Sequence, residues 1–298
     1  MEIMSSVKSD ILWSPLHEDK FIVWGPDITL YEVLKLKDIE KKTSFTQISS
    51  SRGAVVVASQ SANGVRSVDI SSIPDQDDPL LALGHSTGKV SITSLKQTYD
   101  PLGLVGKEFV PRYPRLCNSV SWNPLETNIL AAGLEKHRSD HCIMLWDVTR
   151  GITDDADATK PIAEMGLSET AHNVTWARCS NRTLLASMNL KYIKIFDLRD
   201  FSSKAVSVVS SRSCLGVAAD PLVPWRLLSR GELAVCVWDA RAPALPVLTI
   251  PHAKPVVAAH WCPTRRNLLV SLQRDSSSAR LHDIQQADAA PAPFAADA

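Results

Sequence analysis

At 298 residues the chain is long enough to bury a core without metal or disulfide support. Lys+Arg and Asp+Glu both number 32, so the formal net charge is zero; binding to nucleic acid through phosphates usually brings a basic excess, and no nucleic-acid partner is expected. The six cysteines, Cys117, Cys142, Cys179, Cys214, Cys236 and Cys262, form no C-x-x-C pair, which argues against a disulfide framework and suits isolated, buried thiols in a reducing compartment.

Residues 1–10 hold no apolar h-region, so no secretory signal is expected. The first module follows, with Ile11-Leu12-Trp13-Ser14-Pro15, then Phe21-Ile22-Val23-Trp24, then Ile28-Thr29-Leu30-Tyr31. Apolar runs such as residues 54–58 are far too short to span a bilayer, so no direct membrane insertion is expected. A second module reads Val68-Asp69-Ile70, Leu80-Leu81-Ala82-Leu83-Gly84 and Val90-Ser91-Ile92-Thr93.

The third module is the clearest. Ser119-Val120-Ser121-Trp122 runs into an Asn-Pro turn, Ile129-Leu130-Ala131-Ala132 ends at Gly133, and Cys142-Ile143-Met144-Leu145 ends in Trp146-Asp147. The grammar returns three times, ending at Phe196-Asp197, Trp238-Asp239 and His282-Asp283, and the four aspartates lie 50, 42 and 44 residues apart. A four-stranded WD-type blade takes about 40–45 residues. The third strands are apolar on both faces, as strands sandwiched between neighbouring sheets must be.

The expected fold is all-β, a WD-repeat β-propeller of six repeats near residues 9–50, 51–105, 106–165, 166–209, 210–250 and 251–284. The repeats leave open whether six blades close the ring or a gap remains for a seventh. Few β-formers occur in residues 285–298, which read as a disordered Ala/Asp/Pro tail, leaving the sixth blade without an outer strand.

Two longer stretches are more specific than the repeat grammar. One runs from Gly106-Lys107-Glu108-Phe109-Val110-Pro111 through Trp122-Asn123-Pro124 to Leu134-Glu135-Lys136-His137-Arg138; the other joins Trp261-Cys262-Pro263-Thr264-Arg265 to Arg274-Asp275-Ser276. With the opening Asp10-Ile11-Leu12-Trp13-Ser14-Pro15, these resemble the N-terminal propeller of the Mio (missing oocyte) family over about residues 9–286. The resemblance implies a non-enzymatic subunit of GATOR subcomplex 2, which promotes amino-acid-dependent activation of TOR kinase complex 1. It also implies other GATOR subunits and nutrient-sensor proteins as partners, and a cytoplasmic location with recruitment to the lysosomal surface. Family members continue into a further blade, a helical solenoid and a Cys/His-rich zinc module, none of which this chain carries. A truncated form is therefore expected, without zinc.

Candidate chemistry is sparse. Gly84-His85-Ser86-Thr87-Gly88-Lys89-Val90 has three residues between its glycines, where a phosphate loop needs four, and lacks Ser or Thr after Lys; it reads as a hairpin. His137-x-x-x-His141 beside Cys142 lacks the second ligand pair of a structural zinc site. No catalytic residue, cofactor or metal is expected. The loops between second and third strands emerge on one face of a propeller. They bring His85 and Lys89, then Lys136, His137, Arg138 and Asp140, then Arg274 and Asp275, to an expected protein-binding rim. An alternative reading is a substrate receptor of a cullin-type ubiquitin ligase. Phe196-Asp197-Leu198-Arg199 and Trp238-Asp239-Ala240-Arg241 resemble its adaptor-docking motif, through Arg199 and Arg241.

Overall fold

The structure is a computed structural model that describes residues 10–39, 44–73, 78–96, 100, 102–150, 159–178, 180, 182–199, 204–286 and 292–295. Cys179 lies outside the described residues, as do residues 1–9 and most of the expected tail.

Among the described residues, twenty-five strands form six antiparallel sheets. The first, in the order β1-β2-β3-β5-β4, uses Asp10–Trp13 (β1), Lys20–Trp24 (β2), Asp27–Lys35 (β3), Thr46–Gln47 (β4) and Arg52–Ser61 (β5). The others run in chain order. The second has Val65–Ile70 (β6), Leu80–His85 (β7), Val90–Ser94 (β8) and Glu108–Phe109 (β9). The third has Cys117–Trp122 (β10), Ile129–Leu134 (β11), His141–Asp147 (β12) and Ala163–Leu167 (β13). The fourth has Ala171–Trp176 (β14), Thr183–Met188 (β15), Tyr192–Asp197 (β16) and Ser207–Ser210 (β17). The fifth has Gly216–Ala219 (β18), Arg226–Arg230 (β19), Ala234–Asp239 (β20) and Leu248–Pro251 (β21). The sixth has Val256–Trp261 (β22), Leu268–Gln273 (β23), Ser278–Asp283 (β24) and Ala292–Ala295 (β25).

Two features depart from the sequence expectation. The first sheet continues to Ser61, because β5 pairs along the whole of β3. Composition leaves the sixth sheet without an outer strand, yet Ala292–Ala295 pair antiparallel with Ser278–Leu281 of β24. Outer-strand pairing is made by backbone groups and asks little of the side chains; Pro293 is tolerated because β25 is an edge strand.

The residues fall into two compact units. One comprises Met1–Asn123, Thr127–Ala132 and Trp146–Ile162, the other Pro124–Glu126, Gly133–Leu145 and Ala163–Ala298. Within the first, Ile22, Trp24, Ile28 and Leu30 of the first sheet pack on Val68, Ile70, Leu81 and Leu83 of the second. The second and third sheets approach so closely at Gly84 that a Cβ there would stand 2.4 Å from Ser67 Oγ and 2.6 Å from Cys117 Sγ. Only glycine fits that contact.

Within the second unit the fifth sheet is covered on both faces. Leu227 and Trp238 join Leu185, Ile193 and Ile195 of the fourth sheet, while Leu228, Val235 and Val237 join Ala259, Trp261 and Leu269 of the sixth. Both faces buried explains why these strands read as unbroken apolar runs. Polar side chains stitch first strand to first strand. Asp69 accepts the Trp122 amide at 2.6 Å, and Asn173 accepts that of Val217 at 3.0 Å.

The second strands of the last two sheets carry buried serine at matching places, Ser229 and Ser271, where the fourth sheet has Ala186. Trp238 donates its indole N–H to Ser229 Oγ at 2.8 Å. The third sheet holds Ala132 at that place, and the buried indole N–H of Trp146 finds no partner there.

Candidate functional site

The three expected binding loops form as hairpins between second and third strands. In the first, the His85 amide bonds Lys89 O at 2.8 Å and Gly88 turns with φ +87°, a tight β-hairpin rather than a phosphate loop. Its charges are spent locally. His85 Nε2 meets Ser91 Oγ at 2.8 Å, and Lys89 Nζ pairs with Glu108 at 2.6 Å. Burial and the Lys89 cation hold the His85 imidazole below its ordinary pKa.

The β11–β12 loop differs: its backbone is fixed while its cations stay exposed. The Lys136 amide bonds Thr170 Oγ1 at 3.1 Å, the Asp140 amide bonds His137 O at 2.9 Å, and the Ser168 amide bonds Asp140 O at 3.0 Å. Arg138 takes a left-handed φ of 43° within this frame. Lys136 and Arg138 are exposed and make no ion pair among the described residues. Asp140 is half-buried and caps the His141 amide at 2.9 Å. His141 Nδ1 faces Glu164 at 3.4 Å, whereas Cys142 is buried against Gly166, so neighbours in sequence point to different environments. In the β23–β24 turn, Arg274 and Asp275 are both exposed, with Asp275 at φ 54° and the Arg274 amide fixed to Pro255 O at 2.8 Å.

Arg199 and Arg241 are both committed to the aspartate two residues earlier. Arg241 reaches Asp239 at 2.9 and 2.6 Å and lies 4.3 Å from the Trp225 ring centre. Arg199 Nε bonds both carboxylate oxygens of Asp197 at 2.9 Å. The guanidinium hydrogen bonds hold both carboxylates down to about 2.

Two features escape the sequence reading. A pocket of about 280 Å³ in the second unit is lined by Trp225, Val237, Trp238, Val247, Leu248 and Ile284, with Arg226 and Asn267 on its wall. Of these, Trp225 and Val247 are exposed. The second feature is a buried chain in which Ser271 Oγ lies 2.8 Å from His252 Nε2 and 2.8 Å from His282 Nε2. A hydroxyl between imidazoles is the arrangement of an activated nucleophile. Ser271 is 1% exposed, so no substrate carbonyl reaches it, and the chain is structural. The recurring serine on the second strands was its only sequence signal. Among the described residues no group of three or more His, Cys, Asp or Glu is placed to hold a metal ion, and no helix is long and apolar enough to cross a membrane.

Comparison with known proteins bears on the fold and the family. The chain is 36% identical over 310 residues to the GATOR2 complex protein MIOS of Danio rerio, covering 97% of this chain and 35% of that protein. It is 36% identical over 286 residues to the GATOR2 complex protein Mio of Drosophila melanogaster, covering 96% and 31%. The chain thus spans about a third of the length of these relatives. Among solved structures, a chain of the outer-coat vertex of COPII on membranes superposes with a TM-score of 0.69 at 17% identity, covering 94% of this chain and 74% of that one. That likeness bears on the fold alone, a β-propeller whose blades are the antiparallel sheets, and the family model supplies the WD40 repeat. Residues 50–297 match the family model described as MIOS, WD40 repeat, and the chain belongs to that family.

Proposed function

We propose that the chain is a non-enzymatic protein-interaction scaffold of a GATOR2-type complex, acting in amino-acid-dependent activation of TOR kinase complex 1. Its partners are other subunits of that complex and nutrient-sensor proteins, and its place of action is the cytoplasm and the lysosomal surface. The observation that carries this reading is the β11–β12 loop, whose backbone is held at three points while Lys136 and Arg138 are exposed and make no ion pair among the described residues. A surface fixed before binding loses little conformational entropy on docking, and loops on a rigid scaffold are where recognition residues concentrate. His85, Lys89, His137, Asp140, Arg274 and Asp275 extend the proposed interaction set over two further hairpins. Docking to a ligase adaptor would instead draw on Arg199 and Arg241, whose hydrogen-bond donors already serve Asp197 and Asp239.

Charge reversal tests the proposal. The triple substitution Lys136→Glu, Arg138→Glu, Arg274→Glu is expected to weaken capture of co-expressed GATOR2 subunits by at least about ten-fold, the size of one lost interfacial charge contact or more. Its melting temperature should stay unchanged, because exposed substitutions of this kind stay within about 0.5 kcal/mol. Unchanged capture by this variant, with capture lost on reversing Arg199 and Arg241, would transfer the function to the adaptor reading.

A further inference from the structure

The His252–Ser271–His282 chain joins three parts of the C-terminal sheets: the turn after β21, the second strand β23 and the third strand β24. Its hydrogen positions follow from the partners. His252 Nδ1 lies 3.0 Å from Ile250 O, which only accepts, so Nδ1 carries the proton and Nε2 is a bare acceptor. Ser271 therefore donates its hydroxyl to His252 and receives the Nε2 proton of His282. This one-way relay requires a neutral His252, whose Nε2 must accept. His282 donates from Nε2 in either protonation state, and only its buried charge opposes protonation.

His282 stands where the fifth sheet has tryptophan. It pairs with Leu269 as Trp238 pairs with Leu227, and Ser271 corresponds to Ser229. The fifth sheet thus fastens its third strand with an indole that never titrates, and the sixth uses an imidazole that does.

We propose that this relay is an acid-released latch, which holds β24 and its outer strand β25 in the sixth sheet when both histidines are neutral and frees them when protons arrive. Protonating His252 converts its acceptor into a second donor aimed at Ser271, so the serine proton loses its acceptor. Protonating His282 adds a cation with its ring 5.8 Å from the other imidazole. Both side chains are about nine-tenths buried, His252 at 7% and His282 at 6% exposure.

The surrounding charges do not compensate. Arg280 on β24 acts on both rings and is itself a cation. Arg230 of β19 holds Val256 O at 2.9 Å, and Glu232 and Lys254 lie in the flanking turns. Asp283 stands on the opposite face of β24 and caps the Gln285 amide at 2.9 Å. Among the described residues no carboxylate acts on either imidazole. Burial, then the other histidine and Arg280, hold the His282 imidazole down to about 4, and burial lowers that of His252 as well. The closed latch therefore binds fewer protons than the open one. Its stability is complete above the ordinary histidine value and declines as pH falls toward 4.

Hydrogen exchange on the whole chain tests the latch, with protection factors corrected for the intrinsic pH dependence of exchange. A histidine at about 4 when closed and about 6.5 when open makes the open state roughly thirty-fold more populated at pH 5 than at pH 7.5. A drop of about that size in the β24 amides, with β15 and β16 unchanged, is the expected result. An unchanged β24, or an equal drop across all sheets, overturns the proposal. His282→Trp removes one of the two titrating groups and should shrink the drop to the part that His252 alone contributes; a drop as large as that of the wild type in this variant also overturns the proposal. Should His282→Trp fail to fold, Ser271→Ala serves. Protection of β24 that is already low at pH 7.5 and no longer varies with pH supports the latch; wild-type behaviour refutes it.

Discussion

Replacing Asp220 with alanine is expected to destabilise the protein by about 3–5 kcal/mol, the usual cost of removing one partner from a buried ion pair. The Asp220 side chain is 3% exposed and accepts three bonds: the Leu222 amide at 2.8 Å, the Val223 amide at 3.1 Å and Arg226 Nε at 2.7 Å. Arg226 carries the connection on, reaching Asn267 Oδ1 at 2.6 Å and lying 5.1 Å from the Trp261 ring centre. One carboxylate thus shapes the β18–β19 turn and fixes the bracket between the fifth and sixth sheets. Without it, a largely buried guanidinium has lost its anion and two amides have lost their cap. Asp220→Asn keeps one oxygen for the two turn amides but sets an NH2 donor against the Arg226 Nε–H, so it should recover only the turn and cost about 2–3 kcal/mol. Urea denaturation of the three proteins measures the difference; a cost for Asp220→Ala below about 1 kcal/mol would show that the bracket contributes little.

The second large effect is expected at Trp146. Its side chain is fully buried, with its ring centre 5.5 Å from that of Phe109. Trp146→Ala should cost about 3–5 kcal/mol through lost transfer energy and the cavity left behind. The indole N–H alters the outcome of the conservative change. Because that donor is buried without a partner, Trp146→Phe deletes an unsatisfied group while keeping most of the ring. A cost of about 1 kcal/mol or less is expected for phenylalanine. Equal costs for alanine and phenylalanine in thermal unfolding would mean that the N–H makes a bond essential to the fold.

The fold was legible wherever burial constrains both faces of a strand. Ile143, Met144, Leu145 and Trp146 are all buried, and such a run between turn residues leaves little choice of structure. Outer strands were hard to read because solvent relaxes that constraint. Val56 is exposed between Val55 and Val57, so β5 carries no in–out alternation that assigns it to the first sheet. In β25 the pairing belongs to the backbone, and composition is silent about it.

The candidate site divides the same way. That residues 136–140 form an exposed charged loop follows from their position between two apolar strands. That the loop backbone is locked depends on Thr170 and Ser168, about 30 residues away in sequence and brought near by sheet pairing. His252, Ser271 and His282 likewise span three separate segments. The local capture of Arg199 and Arg241 was legible, since Asp-x-Arg at a strand end places the ion pair within two residues.

The most direct test of the chain as a binding scaffold is a hydrogen-exchange footprint of the protein alone and bound to GATOR2 subunits. Added protection should concentrate in residues 85–89, 135–140 and 274–277, with the buried strands β7, β11 and β23 unchanged. A footprint that avoids all three hairpins, or falls on residues 197–199 and 239–241 instead, would contradict the account.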